Sequence, residues 1–305
     1  MFCEEGEFYS VDIGNTYFLV GGCNDEAVLY KKEGEAIKTI VDNLEESVMY
    51  VKILQETEKE CLFMLATVGG LACLMTNNKA IEIVDLKENI SFCTFINNVF
   101  YIGTEIGNVY VYSHDFEHLN TMSANVTVID IQINNTSVGV LCENKICIGD
   151  SYGNVIFEKY IPDISSFVFL NGNVFAFTAG RNFAIYKEHN KLFETTFEEE
   201  ADSVVLVDDS FVIGGSFDGI YCVNINNYSI YKIDIGINMI KDIKVIGKYL
   251  VSFIQGENKI GVLDIRDKSS LRLYESMAEF IFSYGILGNE IVIGGIKGYE
   301  YINKI

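Results

Sequence analysis

The stretch SFVIGGSFDGIYCVNINNYSIYKIDI, residues 210–235, decides the fold. An apolar run (211–213) ends on Gly214-Gly215, a short turn follows, and a second apolar segment carrying Tyr221 ends at Asn224. After Asn226-Asn227 a third segment alternates through Tyr231, Lys232, Ile233, Asp234 and Ile235. β-Branched and aromatic residues at period two, punctuated by Gly, Asn and Asp, are the marks of short strands joined by tight turns.

The same arrangement recurs along the whole chain. Its most apolar segment, the second strand of each unit, reads TYFLVGGCN (16–24), CLFMLATVG (61–69), VFYIGTEIG (99–107), SVGVLCEN (137–144), NVFAFTAG (173–180), SFVIGGSFD (210–218), YLVSFIQGE (249–257) and NEIVIGGIK (289–297). Eight copies at a spacing of about 38 residues lie close to the ~40 to 45 of a four-stranded propeller blade. A third strand follows each at once, as in EAVLYKK (26–32), NVYVYSH (108–114), NFAIYKE (182–188) and KIGVLDI (259–265). A more polar outer strand comes next, as in AIKTIV (36–41), AIEIVDL (80–86) and SIYKIDI (229–235).

The small pairs Gly21-Gly22, Gly214-Gly215 and Gly294-Gly295 imply a tight turn where adjacent units crowd together. Period-two strands exclude a helical solenoid, and even spacing excludes a jelly roll, leaving a β-sandwich array as the rival. The expectation is an all-β chain, one β-propeller domain over residues 1–305, with eight four-stranded blades and seven as the alternative. The last unit, ending in GYEYINKI (298–305), stops after its third strand. Its outer strand must come from elsewhere or be missing, and residues 1–6 are the candidates.

With 305 residues, 49% hydrophobic and 21% charged, the chain can bury a full core and carries no mark of disorder. A net charge of -21 opposes binding to nucleic acid or an anionic membrane, so a basic protein is the natural complement. The segment MFCEEGEFYSVDIG (1–14) has no basic n-region, and no apolar stretch reaches the roughly 18 residues of a membrane span. The eight cysteines sit mostly within apolar strands, where a thiol is a small buried hydrophobe. Free thiols fit a reducing compartment, so a cytoplasmic, also nuclear, location is expected.

On these features the chain resembles WD-repeat propellers over essentially its full length, with Tyr in the third strand where those repeats place Trp. Within that family it is most similar to the acidic eight-bladed WD-repeat chaperones of a large-subunit ribosomal protein. The resemblance rests on strong acidity, on eight units, on SVDIGNTYFLVGGCNDEAVLY (10–30) followed by EESVMYVKI (45–53), and on the final third strand. It implies a basic segment of a ribosomal protein as the partner, held against one propeller face until delivery.

In a propeller the turns between second and third strands and the links between blades emerge on one face, and the other two kinds of turn on the opposite face. Sorted this way, the first face carries roughly 20 carboxylates against about 6 basic side chains, and the other roughly 14 against about 10, a one-sided footprint for a cation. The candidate partner-binding residues are Asp25, Glu26, Asp42, Glu45, Glu46, Glu88, Glu105, Glu143, Glu198, Glu199, Glu200, Asp202 and Asp218. Bidentate pairing of Arg with such carboxylates gives orientation as well as affinity.

Catalytic chemistry lacks its parts. There is no glycine-rich phosphate loop, no Gly-x-Ser-x-Gly elbow and no cysteine with a well-placed histidine. His114 and His118 have metal-ligand spacing for a helix but fall beside a turn, and Cys142 with Cys147 lacks a second pair, so no metal or cofactor is expected. The reading is a non-catalytic chaperone, monomeric outside its complex. The alternative is a scaffold subunit of a vesicle coat, nuclear pore, ubiquitin ligase or ribosome-biogenesis complex.

Overall fold

The computed structural model describes residues 6–23, 26–32, 46–77, 79–134, 137–150, 154–171 and 174–303. The expected repeat is present: eight antiparallel sheets follow one another along the chain, each with its strands in sequence order. Blade 6 shows the pattern, Ala201–Val207, Ser210–Gly215, Ile220–Asn224 and Ile230–Ile233 running from the innermost strand to the outermost. The fold is an all-β propeller of eight blades. Blades 2 to 7 have four strands, and blades 1 and 8 have three among the described residues. The expected outer strand at 36–41 lies outside the described residues. So do residues 1–5, while Glu7 bridges to Ile296 in a turn of blade 8 rather than joining that blade's outer edge.

The chain divides into two compact units. The first comprises residues 1–106, 110–119 and 276–305, and holds blades 8, 1 and 2 with the inner strands of blade 3. The second comprises residues 107–109 and 120–275, and holds blades 4 to 7. Within each unit the core lies between consecutive blades. Tyr17, Leu19, Phe63 and Leu65 join blade 1 to blade 2, and Phe8, Phe18, Val292 and Tyr299 join blade 8 to blade 1. In the second unit Phe183, Phe211 and Ile213 join blades 5 and 6, and Val212, Ile243 and Phe253 join blades 6 and 7. Each sheet thus buries both faces, which is why the second strands read as continuous apolar runs rather than as alternating ones.

The glycine pairs serve this crowding. A Cβ on Gly21, Gly214 or Gly294 would stand 2.6, 2.7 or 2.8 Å from Val48, Ile240 or Val11 of the following blade. A Cβ on the second glycine of each pair would collide with a backbone carbonyl of its own sheet, that of Glu7, Glu200 or Phe280.

A second device recurs on the innermost strands. Blades 1 to 6 and 8 carry a β-bulge just inside the start of that strand, between Phe8 and Ser10, Val48 and Tyr50, Ile90 and Phe92, Val128 and Asp130, Ile164 and Ser166, Ala201 and Ser203, and Ile281 and Ser283. In three of these blades the serine after the bulge accepts a backbone N–H from the next blade. Val51 donates to Ser10 at 3.1 Å, Val204 to Ser166 at 3.2 Å and Ile243 to Ser203 at 3.2 Å. Asp12 does the same for Ile53 at 2.8 Å and pairs with Lys52 at 2.9 Å. An innermost strand is a sheet edge with unpaired N–H groups. The preceding blade supplies the acceptor and fixes the two sheets in register.

A candidate protein-binding face

In a sheet of four antiparallel strands, the turn joining the second and third strands lies at the same end as the start of the innermost strand and the finish of the outer one. Call this the front end. In the first unit the described front turns and links carry Glu7, Glu26, Glu46, Glu88, Glu105 and Glu279 against Lys87 and Lys297. In the second they carry Glu143, Asp163, Glu198, Glu199, Glu200, Asp218, Asp234 and Glu257 against Arg181. Among the described residues the back turns of the two units carry Glu58, Glu60, Asp115, Glu117, Glu188, Asp208 and Asp209, against Lys32, Lys59, Lys248 and Arg266.

The candidate residues differ in how committed they are to the fold. Glu143, Glu198, Glu199, Glu200 and Asp218 stand exposed on front turns of the second unit. Asp202 is the bulged residue of blade 6 and is half-buried; burial and Glu200 hold its carboxyl above the ordinary range, opposed by Lys241. Glu26, Glu46, Glu88 and Glu105 lie on front turns of the first unit, where three have structural duties. Glu46 accepts from the Thr67 hydroxyl at 3.2 Å, Glu88 from the Tyr110 hydroxyl at 2.7 Å, and Glu105 from Asn89 Nδ2 at 2.9 Å. Asp25, Asp42 and Glu45 lie outside the described residues.

An apolar component at the front end escapes a reading by charge. In the first unit the bulged residues Met49 and Phe282 are exposed, and Phe280 and Met277 on the preceding link join them. Tyr9, the bulged residue of blade 1, sets its ring 5.2 Å from Phe282, which is 5.5 Å from Phe280. The run Phe280-Ile281-Phe282 has no alternation and reads as a buried strand; the bulge between Ile281 and Ser283 turns Phe282 outward.

The other motifs fall elsewhere. His114 sits in a back turn of blade 3 and His118 opens its outer strand, edge-on to Tyr112 at 5.3 Å. Cys142 and Cys147 occupy adjacent strands of blade 4, Cys142 opposite Lys145 and Cys147 opposite Val140, with both sulfurs buried. At the back of blades 1 and 8, a polar cleft of about 560 Å³ is lined by Lys31, Lys32, Glu290 and Tyr301. Its cations are engaged, Lys32 with Glu290 and Lys31 with the carbonyl of Glu58 at 2.7 Å.

Eight consecutive antiparallel sheets of the four-stranded type, with innermost strands clamped to the next blade at blades 1, 5 and 6, define a WD-type propeller, a class of generally non-catalytic protein-interaction domains. The chain belongs to the WD40-like domain family, whose sequence profile matches residues 6–302. No curated protein matches it. Among solved structures it is similar to Chaetomium thermophilum Sqt1, with 10% identity over 98% of this chain and 95% of that one and a TM-score of 0.81. Saccharomyces cerevisiae Sqt1 aligns with 12% identity over 99% and 97% and a TM-score of 0.80. The C-terminal WD40 domain of Sif2 aligns with 11% identity over 99% and 97% and a TM-score of 0.74. At such identities the likeness is one of fold.

Proposed function

We propose that this propeller binds a basic protein segment at the acidic front ends of its blades and serves as a dedicated chaperone of a ribosomal protein, in the cytoplasm or nucleus. The observation that carries the reading is the uneven placing of charge, fourteen carboxylates against three basic side chains at the described front turns, and seven against four at the back. Exposed carboxylates on rigid turns receive Arg and Lys without the ordering cost of flexible segments, and a clustered negative field speeds encounter with a cationic chain. Resemblance to the acidic eight-bladed chaperones supplies the ribosomal class of client.

Capture from lysate on the immobilised protein, followed by elution with rising salt, tests this. A basic ribosomal protein is expected to leave at moderate salt. It should not be captured by a variant carrying Glu143→Gln, Glu198→Gln, Glu199→Gln, Glu200→Gln and Asp218→Asn. The exposed apolar residues of the first unit favour a second reading, a permanent scaffold subunit, for which the captured set would resist salt and ignore those substitutions.

A further inference from the structure

The bulged residue of the innermost strand is the same structural position in successive blades, yet its chemistry changes with place. In blades 3, 5 and 6 it is Ser91, Ser165 and Asp202, and in blade 4 it is Ile129, 41% exposed but set in chain order between two blades that carry serine. In blades 8, 1 and 2, whose innermost strands pack directly on one another, it is Phe282, Tyr9 and Met49. Phe282 and Met49 are 38% and 41% exposed, and Phe280 and Met277 on the adjoining link are 38% and 60% exposed. The fold tolerates serine here, so large apolar side chains in three consecutive blades are not required by packing. Contiguous exposed apolar groups of this kind mark interaction sites.

The charges around the patch select its occupant. Glu7 adjoins Tyr9, accepting its hydroxyl at 2.7 Å, and Glu279 lies between Met277 and Phe280 on the link, paired with Lys297. Front turns of this unit carry six carboxylates against two lysines. We infer that the Phe282, Tyr9 and Met49 patch receives a large apolar side chain of a partner segment whose flanking residues are Lys or Arg. The inference rests on the acidic-face reading and adds a hydrophobic anchor to it. Aromatic and methionine side chains supply the contact area that carries affinity, and surrounding carboxylates orient the segment.

A random-peptide display library panned on the intact protein tests this, with Phe282→Ser and Met49→Ser as counter-variants, serine being the residue blades 3 and 5 use at the same position. The enriched peptides should place one aromatic or large aliphatic residue among Lys or Arg. They should bind either serine variant about tenfold more weakly or worse by fluorescence anisotropy. Enriched basic peptides that bind the serine variants as tightly as the parent overturn the anchor and leave the acidic-face reading standing. Apolar peptides indifferent to Glu-to-Gln changes at the front turns would refute the acidic reading instead. Absence of any enriched peptide overturns the anchor, as does tight peptide binding that appears only after deletion of residues 1–5, which assigns the patch to the chain's own terminus. Sedimentation showing a dimer that Phe282→Ser dissociates assigns the patch to a second copy and overturns it too.

Discussion

Removing the hydroxyl of Ser203 tests how blades are joined. Its Oγ lies on blade 6, buried, and accepts the backbone N–H of Ile243 on blade 7 at 3.2 Å. Ser203→Ala takes away a small group and leaves that buried donor without its acceptor, a loss of about 1 to 3 kcal/mol. With a urea dependence of about 3 kcal/mol/M or more for a chain of this size, the midpoint should fall by roughly 0.3 to 1 M. Amide exchange followed by NMR or mass spectrometry should show the Ile243 N–H losing protection beyond the global change. Val51, bonded to Ser10 in the first unit, serves as the internal reference. Ser166→Ala should shift the effect to Val204. An unchanged midpoint, or protection at Ile243 that merely tracks Val51, would refute the idea that these serines clamp successive blades.

Three further outcomes are expected. Gly214→Val should destabilise by about 1 to 3 kcal/mol in urea titration, because even a Cβ there stands 2.7 Å from Ile240; a neutral result would show that the blades are not in close contact at this point. Burial pushes the Asp130 carboxyl to about 6, with Asp242 adding to the rise and hydrogen bonds from Gln132 and the Ile131 N–H opposing it. The folded state therefore holds this proton more tightly than the unfolded one, so the contribution to stability is fullest below about pH 4 and is lost as pH climbs through about 6. Ionisation at neutral pH costs up to about 3 kcal/mol, and Asp130→Asn should flatten the urea midpoint across that window and raise it at pH 7. A slope that survives the substitution would point to other groups. Burial pushes the thiols of Cys61, Cys73 and Cys222 up to about 12, 11 and 11. Iodoacetamide at pH 8 should therefore label half-buried Cys23 well before them, and equal rates would contradict the packing.

The repeat was legible because propeller packing writes itself into sequence twice. Second strands buried on both faces appear as apolar runs, and the close approach of blades appears as glycine pairs at their ends, as in Val20-Gly21-Gly22 and Ile293-Gly294-Gly295. Front and back turns could then be sorted by strand order alone, because antiparallel connection fixes which turns share an end. The residue facing solvent at the start of each innermost strand was not legible. Phe280-Ile281-Phe282 has the composition of a buried strand, and only the bulge between Ile281 and Ser283 reveals that Phe282 turns outward. Nor does sequence separate a solvated carboxylate from one engaged by the fold. Glu46, Glu88 and Glu105 read like Glu198 to Glu200, yet the first three hold neighbouring side chains.

The measurement that bears most directly on the central claim is carbodiimide coupling of a captured client to this protein, since the reagent joins carboxylates to lysines in direct contact. Mass spectrometry of the cross-linked peptides should place the linkages at Glu143, Glu198, Glu199, Glu200 and Asp218, on the front turns. Linkages concentrated at Glu58, Glu117, Asp208 and Asp209, on the back turns, would contradict the account.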